Sequence, residues 1–210
     1  MKDIIIAGAG GSGREVLDTI KYINRYEKTW NIKGFIDDNL LALNGLAGEI
    51  KVIGTIAEWQ PSENEVFTCS IFDPCTRHKV VDILKTRGAK FVSVIDPRSG
   101  ISDFTEIGEG AIIYAWGSVS VNCKIGDFLI LQNTGIGHDC TIGNCVSIGQ
   151  RCSIGGGSFI GDNVLIGCNA VILHKRLIGN NANIGTGSVV IRNVKPNTSV
   201  FGNPAKVINF

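Results

Sequence analysis

The second half of the chain repeats every six residues, and this period restricts the possible folds more than any other feature of the sequence. From residue 101 to residue 131 an aliphatic side chain occupies every sixth position. After a slip of one residue the pattern resumes at 136 and runs to 190. A helix of period 3.6 and a half-buried strand of period 2 do not produce this spacing. A parallel β-helix does, because each six-residue unit forms one flat face with one large side chain pointing inward.

Glycine and small side chains accompany the repeat. The 210 residues include 27 glycines, most of them in the second half, and ten directly follow an aliphatic repeat position. Four positions after the aliphatic residue come small or compact residues such as Cys140, Cys152 and Ser158. Residues of this kind let the chain turn the corner between two faces. We therefore assign residues 98–210 to an all-β parallel β-helix domain with a C-terminal tail.

The first half of the chain is organised differently. Residues 1–97 alternate between strand and helix patterns, with strands predicted over 3–7, 32–36, 65–71 and 91–95 and helices over 12–26 and 76–87. Such alternation predicts a small parallel sheet with helices packed on it. Pro97, Ser99 and Gly100 mark the join. The fold class is therefore a short Rossmann-like α/β domain over 1–97 followed by the β-helix.

A glycine-rich loop follows the first predicted strand. Its sequence Gly8-Ala9-Gly10-Gly11-Ser12-Gly13 fits G-x-G-x-x-G and opens the first helix, which is the pattern of a phosphate-binding turn. A full dinucleotide fold needs two mononucleotide halves, and fewer than 100 residues precede the repeat. Asp37 and Asp38 end the second strand and can accept hydrogen bonds from a base or ribose. The loop therefore predicts a nucleotide diphosphate site, with a NAD-binding oxidoreductase as a remote alternative.

The charge and the cysteine content of the chain limit the kinds of ligand and partner that we expect. The 20 basic and 19 acidic residues nearly balance, so bulk charge does not favour a nucleic acid or a membrane surface. We find neither a signal-peptide layout nor an apolar run that could span a bilayer. The seven cysteines form no C-x-x-C pair and no common zinc pattern. We therefore expect free thiols, no metal and a cytoplasmic location.

The repeat and the ending Val200-Phe201-Gly202-Asn203-Pro204-Ala205-Lys206 resemble the hexapeptide-repeat acyltransferases. The whole chain resembles the sugar acetyltransferases that join a nucleotide-binding α/β domain to such a repeat. This group includes nucleotide-sugar N-acetyltransferases and sialic acid O-acetyltransferases. The resemblance implies a left-handed β-helix, acetyl-CoA as co-substrate, and a homotrimer with active sites at subunit interfaces.

His138 is the histidine that the sequence singles out. His78 lies in the second predicted helix and His174 in a basic break of the repeat, whereas His138 stands beside the slip in the six-residue register. The residues alone leave a structural corner histidine open. The short sequence His138-Asp139-Cys140 is similar to the catalytic region of these sugar acetyltransferases. The resemblance implies that His138 is the general base and that Asp139 orients its imidazole.

The resemblance also implies further contacts. Gly155 and Gly156 follow His138 by about one coil, and Gly156 matches a backbone oxyanion donor. Ser147 stands where many relatives have a second histidine that contacts acetyl-CoA. Other expected acetyl-CoA contacts are Gly167, Ala182, Gly185, Pro204 and Lys206. The expected nucleotide-sugar contacts are Gly8, Gly10, Gly11, Ser12 (a histidine in several relatives), Gly13, Asp37, Asp38 and Arg77.

The favoured activity is direct acetyl transfer from acetyl-CoA to the amine of a UDP- or dTDP-linked 4-amino-6-deoxy sugar, with His138 as the base. A sialic acid or capsule-sugar O-acetyltransferase, with a hydroxyl nucleophile, is the alternative. A zinc hydratase on the same fold would need three histidine ligands, and the repeat supplies two. A nicotinamide enzyme would leave the repeat without a purpose.

Overall fold

The first domain is a parallel sheet flanked by helices. The computed structural model describes residues 1–208, so residues 209 and 210, the last two of the predicted β-helix domain, lie outside the described residues. The domain consists of β1 (Lys2–Ala7), α1 (Gly11–Tyr26), β2 (Trp30–Ile36), β3 (Val52–Gly54), β4 (Glu65–Cys69) and α2 (Pro74–Thr86). Its four strands are parallel in the order β3-β2-β1-β4. The predicted Rossmann-like α/β fold is therefore confirmed.

The central strand β1 is buried because helices or β-helix residues cover both of its faces. Its residues Ile4, Ile5 and Ile6 are fully buried, and they divide between two hydrophobic clusters that each include residues of the β-helix. The helix α1 packs Val16 and Ile20 against the sheet. Neither helix within residues 1–208 is long and apolar enough to cross a membrane.

The second domain is the predicted parallel β-helix. It begins with seventeen two-residue strands, β5 (Val94–Ile95), β6 (Gly100–Ile101), β7 (Glu106–Ile107), β8 (Ile112–Ile113), β9 (Ser118–Val119), β10 (Lys124–Ile125), β11 (Ile130–Leu131), β12 (Gly135–Ile136), β13 (Thr141–Ile142), β14 (Ser147–Ile148), β15 (Ser153–Ile154), β16 (Phe159–Ile160), β17 (Leu165–Ile166), β18 (Val171–Ile172), β19 (Leu177–Ile178), β20 (Asn183–Ile184) and β21 (Val189–Val190). The antiparallel pair β22 (Ser199–Phe201) and β23 (Lys206–Ile208) follows.

These strands form three sheets, which we call faces. Face 1 contains β5, β8, β11, β14, β17, β20, β22 and β23, face 2 contains β6, β9, β12, β15, β18 and β21, and face 3 contains β7, β10, β13, β16 and β19. Every third strand thus returns to the same face, one coil along. The aliphatic repeat residues point inward and form one continuous core.

Glycine follows the aliphatic residue because the next coil lies directly against it. A Cβ atom added to Gly155 would lie 2.4 Å from the amide nitrogen of His174, in the next coil. A residue with positive φ then turns most of the corners, for example Asp139 (φ 58°) and Arg151 (φ 57°). Asparagine and aspartate are the non-glycine residues that adopt this conformation most readily, and asparagine is the commonest residue at these corners.

The corner between β11 and β12 is one residue short. From β5 to β21, paired residues in successive coils are 18 apart, as in Ser153 and Val171, except where the pair spans this corner. Those pairs are 17 apart: Ser118 and Gly135, Lys124 and Thr141, and Ile130 and Ser147. At the four other corners between faces 1 and 2 that contain Trp116, Arg151, Asn169 or Gly187, this left-handed residue precedes a small buried residue, as Arg151 precedes Cys152. Here Asn133 is followed directly by the buried Thr134. The slip in the sequence is the deletion of one corner residue.

The join between the domains differs in detail from the prediction. The strand predicted over 91–95 divides, because Phe91 forms a bridge with Phe67 of the first domain whereas β5 pairs with β8 of the β-helix. The hydrogen bonding of the β-helix therefore starts at Val94. The boundary at 97/98 stays a prediction, and the change of partner lies a few residues before it.

Candidate active site

His138 lies at the corner between faces 2 and 3, and its imidazole is exposed. The side chain of His138 is 66% accessible and that of Asp139 is 56% accessible. The Nδ1 atom of His138 lies 2.6 Å from Oδ2 of Asp139. An ionised carboxylate can only accept a hydrogen bond, so Nδ1 carries the proton and Nε2 is left free to take one.

The Asp139 carboxylate is held in its ionised form. Hydrogen bonds from His138 and then from Asn122 lower the pKa of Asp139 below its ordinary value. Asp139 is also the left-handed residue of its corner, so this geometry has a structural as well as a chemical cause. The carboxylate therefore fixes the orientation of the imidazole from the opposite side of the ring to Nε2.

Gly156 lies directly against this imidazole, one coil along. A Cβ atom at residue 156 would stand 2.7 Å from Nε2 of His138 and 2.8 Å from Cε1. The backbone φ of Gly156 lies outside the left-handed range, so the absence of a side chain there serves the histidine and not the turn. The structure thus brings together His138, Asp139 and Gly156.

The amide of Gly156 has no acceptor among residues 1–208, whereas its neighbours do. Gly155 N donates to Ile172 O at 2.8 Å, and Gly157 N donates to His138 O at 2.8 Å. This N–H is not used by the fold, and an oxyanion needs a donor of that kind. The oxyanion role of Gly156 stays a prediction.

The glycine-rich loop has the geometry of a phosphate-binding turn. A Cβ atom at Gly13 would lie 2.1 Å from the carbonyl oxygen of Gly8, so the loop closes only because residue 13 is glycine. Helix α1 starts at Gly11 with Gly10 as its N-cap, and no side chain caps it. Its first amides are therefore free to bind an anion. The Oγ atom of Ser12 lies 3.3 Å from the hydroxyl oxygen of Tyr114 in the β-helix. This hydrogen bond connects the loop to the second domain.

Asp37 and Asp38 are partly engaged in holding loops in place. Asp37 Oδ2 accepts the amide of Ala9 at 2.7 Å, and its Oδ1 accepts the amide of Asn39 at 2.8 Å. Asp38 is exposed and accepts the amide of Ala57 at 3.0 Å. Asp37 therefore shapes the glycine loop, and contact of either residue with a nucleotide stays a prediction.

The structure corrects the roles expected of Arg77 and Ser147. Both are fully buried at the domain junction, so neither can touch a ligand at the surface. Arg77 donates through Nε to Phe128 O at 3.1 Å and through Nη1 to Ser147 Oγ at 2.8 Å. Nη1 also donates to Ile71 O at 2.6 Å, and Ser147 donates to Phe72 O at 2.6 Å. The pair fastens the loop after β4 to the β-helix.

The expected acetyl-CoA contacts separate into accessible and buried residues. Gly167 and Gly185 are half-buried at corners between faces 1 and 2, and Pro204 and Lys206 are exposed on the tail. Ala182 is corrected, because its methyl group points into the core with 1% accessibility and cannot meet a ligand outside.

The residues two positions after the aliphatic residue of face 2 form a column along the corner between faces 2 and 3. The column runs through His138, Gly156, His174 and Arg192, one residue per coil. Arg192 then lines a groove of about 500 Å³ with Lys195 and Lys206. The phase of the repeat predicts this column, and we missed Arg192 and Lys195 because each basic residue alone resembles a solvated surface residue.

A cleft of about 590 Å³ separates α1 from the corner between faces 1 and 2, and we call it the domain cleft. Gly11 and Arg14 line it on the side of α1. On the side of the β-helix it is lined by Ala115, Gln132, Asn133 and Gln150. The sequence reasoning named only Gly11 among these residues. The slip at 131–136 is the signal that could have pointed to the others.

Two protein-family models match the chain, one in each half. Residues 3–84 match the model of the PglD N-terminal domain, and residues 157–192 match that of the bacterial transferase hexapeptide. One match lies in each of the two domains described above. The resemblance noted in the sequence is thereby confirmed.

The chain is also similar in sequence to a curated protein. The chain is 31% identical over 144 residues to the GDP-perosamine N-acetyltransferase of Escherichia coli O157:H7. The alignment covers 68% of this chain and 65% of that protein, so this chain spans slightly less than two thirds of the relative's length.

Solved structures reproduce the whole fold. The acetyltransferase domain of PglB from Neisseria gonorrhoeae FA1090 has a TM-score of 0.90 at 25% identity, with 99% of this chain and 100% of that chain covered. PerB from Caulobacter crescentus, solved in complex with CoA and GDP-perosamine, has a TM-score of 0.89 at 22% identity, with 100% and 98% covered. The likeness to PerB shows the fold alone. The β-helix is left-handed, as the resemblance implied.

Proposed function

We propose that this protein transfers an acetyl group from acetyl-CoA to the amine of a nucleotide-linked amino sugar, with His138 as the general base. The observation that carries the proposal is the placement of the His138 imidazole between the Asp139 carboxylate and the bare backbone of Gly156. The likeness to a GDP-perosamine N-acetyltransferase and to the acetyltransferase domain of PglB supports the reaction class. That relative adds GDP to the UDP and dTDP expected from the sequence.

The reaction requires one proton acceptor and one oxyanion donor. Nε2 of His138 removes a proton from the sugar amine as its nitrogen attacks the thioester carbonyl carbon. The carbonyl oxygen becomes an oxyanion, and the N–H of Gly156, which has no acceptor among residues 1–208, stabilises it in this proposal. The C–S bond then breaks, and the CoA thiolate takes the proton back from Nε2. The nitrogen gains the acetyl group and no acyl-enzyme forms.

The column from His138 to Arg192 offers a path for CoA. Successive strands of a sheet are about 4.8 Å apart, so three coils place Arg192 about 14 Å from His138. With the thioester at His138, the pantetheine arm would run along the column, and the CoA phosphates would reach Arg192, Lys195 and Lys206. The exposed Pro204 and the corner residues Gly167 and Gly185 stay as proposed contacts at the edges of this path.

The acceptor is proposed to bind with its diphosphate on the glycine-rich loop. Gly10 and Gly11 are exposed at the start of α1, and Ser12 and Gly13 complete the turn. From Gly11 the domain cleft leads to Asn133, which is five residues from His138 along face 2, or about 16 Å in an extended chain. That span favours an arrangement in which the His138 of a second copy completes the site, as in the proposed homotrimer.

The decisive experiment measures release of free thiol from acetyl-CoA with a panel of acceptors. We expect release with a UDP-, dTDP- or GDP-linked 4-amino-6-deoxy sugar and none with the corresponding 4-hydroxy sugars. Release with sialic acid alone would replace the proposal by the O-acetyltransferase alternative.

The assignment of the base is tested separately. His138→Ala should lower kcat by about 10²–10⁴, the usual contribution of a general base, and leave the dissociation constant of acetyl-CoA unchanged. A variant with full activity would remove His138 from the mechanism. Sedimentation of both proteins checks that the variant assembles as the wild type does.

A further inference from the structure

The shortened corner at residues 132–134 lies in the middle of the domain cleft. The cleft spans four successive coils, with Asp96 and Arg98 in the first, Ala115 in the second, Gln132 and Asn133 in the third and Gln150 in the fourth. The coils on either side place a left-handed residue at this corner, Trp116 and Arg151, and both project into solvent. The coil of Gln132 and Asn133 lacks that residue, so one fewer side chain projects at this level, and we call this place in the wall of the cleft the recess.

The deletion also leaves a carbonyl group without its usual partner. Between successive coils, the amide of the left-handed residue donates to the carbonyl two positions after the aliphatic residue of the coil before. Thus Arg151 N donates to Asn133 O at 2.7 Å and Asn169 N donates to Gln150 O at 2.8 Å. The equivalent donor for Ala115 O would be the deleted residue, and Ala115 O accepts no hydrogen bond from residues 1–208.

Three amide side chains line the same cleft as this carbonyl group. Those of Gln132, Asn133 and Gln150 form no hydrogen bond with another of the residues 1–208, and each offers both donors and an acceptor. Hydroxyl groups suit such a set, because a hydroxyl both donates and accepts. An acceptor-only carbonyl additionally demands an O–H or N–H from the ligand.

We propose that the one-residue deletion between Asn133 and Thr134 creates the subsite for the sugar ring of the acceptor. This proposal rests on the proposed function, and it names the specificity-determining element of the acceptor site. The domain cleft starts at Gly11, where the diphosphate is expected, so the sugar beyond the diphosphate enters the recess. Ala115 O and the amides of Gln132 and Gln150 bind its hydroxyl groups.

The test is to restore the missing residue and to measure binding by calorimetry. The probes are the UDP-, dTDP- and GDP-linked 4-amino-6-deoxy sugars and the matching free nucleoside diphosphates. In the wild type we expect the sugar to tighten binding by about tenfold relative to the diphosphate alone, as one or two good hydrogen bonds provide. Insertion of one glycine between Asn133 and Thr134 should abolish this gain and leave the affinity for the free diphosphate unchanged.

A second variant keeps the proposal testable if the insertion does not fold. Gln132→Ala should lower the sugar-dependent gain severalfold, and Gln60→Ala, on the exposed surface of the first domain, should not change it. An unchanged gain in both the insertion and Gln132→Ala would overturn the proposal, as would a wild type that binds diphosphate and nucleotide sugar equally. These experiments measure binding, so their outcome does not depend on acetyl transfer. Absence of acetyl transfer would reject the proposed function, whereas the binding data alone decide whether the sugar subsite exists.

Discussion

Replacement of Gly156 by alanine tests the geometry of the candidate active site most directly. The new methyl carbon would stand 2.7 Å from Nε2 of His138, whereas ordinary van der Waals contact begins at 3.4 Å. The imidazole must therefore move by at least 0.7 Å (3.4 − 2.7). Displacement of about 1 Å from a productive geometry can cost 10²-fold in rate. We expect kcat of Gly156→Ala to fall by about 10²-fold.

Stability should change little in the same variant. The backbone of Gly156 lies outside the left-handed range, so alanine adopts it without strain, and the exposed ring of His138 can swing into solvent. We expect the free energy of unfolding to change by less than about 1 kcal/mol, as for surface substitutions. Gly100→Ala is the matched control, because its Cβ would meet only Ser118 Cβ at 3.8 Å.

The assay is acetyl-CoA-dependent thiol release with the best acceptor of the panel, together with thermal unfolding. The double variant His138→Ala/Gly156→Ala should be no slower than His138→Ala alone, because alanine at 156 fits once the imidazole is gone. Wild-type kcat in Gly156→Ala would refute the reasoning. Additive losses in the double variant would show that residue 156 acts on the substrate and not through His138.

Three further predictions concern the orienting carboxylate, the domain junction and the glycine loop. Because hydrogen bonds lower the pKa of Asp139, its carboxylate stays ionised down to below the ordinary carboxyl pKa of about 3.9 and accepts from His138 throughout the neutral range. Asp139→Asn should therefore have a lower kcat than the wild type at every pH from 6 to 8, and equal kcat values anywhere in that range would contradict the orienting role. Arg77→Met leaves several buried acceptors unpaired, so we expect a loss of about 3 kcal/mol and a Tm lower by about 6–12 °C, with the exposed Arg25→Met as control. In Gly13→Ala a methyl group 2.1 Å from Gly8 O must open the loop, and calorimetry should show nucleoside diphosphate affinity at least tenfold weaker, unlike Gly100→Ala.

The β-helix could be predicted from the sequence because its period is written into the residues. Ala182 shows the value of that period: it stands four positions after an aliphatic residue, where the repeat predicts an inward side chain, and the structure places it in the core. The expectation of an acetyl-CoA contact there came from the resemblance and was wrong for the side chain. The contact between His138 and Asp139 could also be predicted, because the two residues are adjacent in the sequence. It depends only on the local backbone of one corner and on no packing between distant residues.

The roles of Arg77 and Ser147 could not be read from the sequence. They are 70 residues apart, and their contact depends on how the first domain packs on the β-helix. The resemblance implied a nucleotide-sugar contact for Arg77, whereas in the structure its Nε and Nη1 donate to backbone carbonyl groups inside the junction. Burial lowers the pKa of this guanidinium, and no local pattern of residues reveals such an environment.

The deletion in the coil of His138 shows that this architecture can lose a residue at one corner without disturbing the pairing of the strands. Past the shortened corner, Ile136 pairs with Val119 and Ile154 on its own face, and Ile142 pairs with Ile125 and Ile160 on the next. The aliphatic ladders therefore stay in step on every face, and the loss of a residue is confined to one turn of the chain. A lineage built on this fold can reshape one corner by insertion or deletion while a catalytic histidine at the following corner keeps its place. Substrate preference and reaction chemistry are thus free to diversify independently, coil by coil.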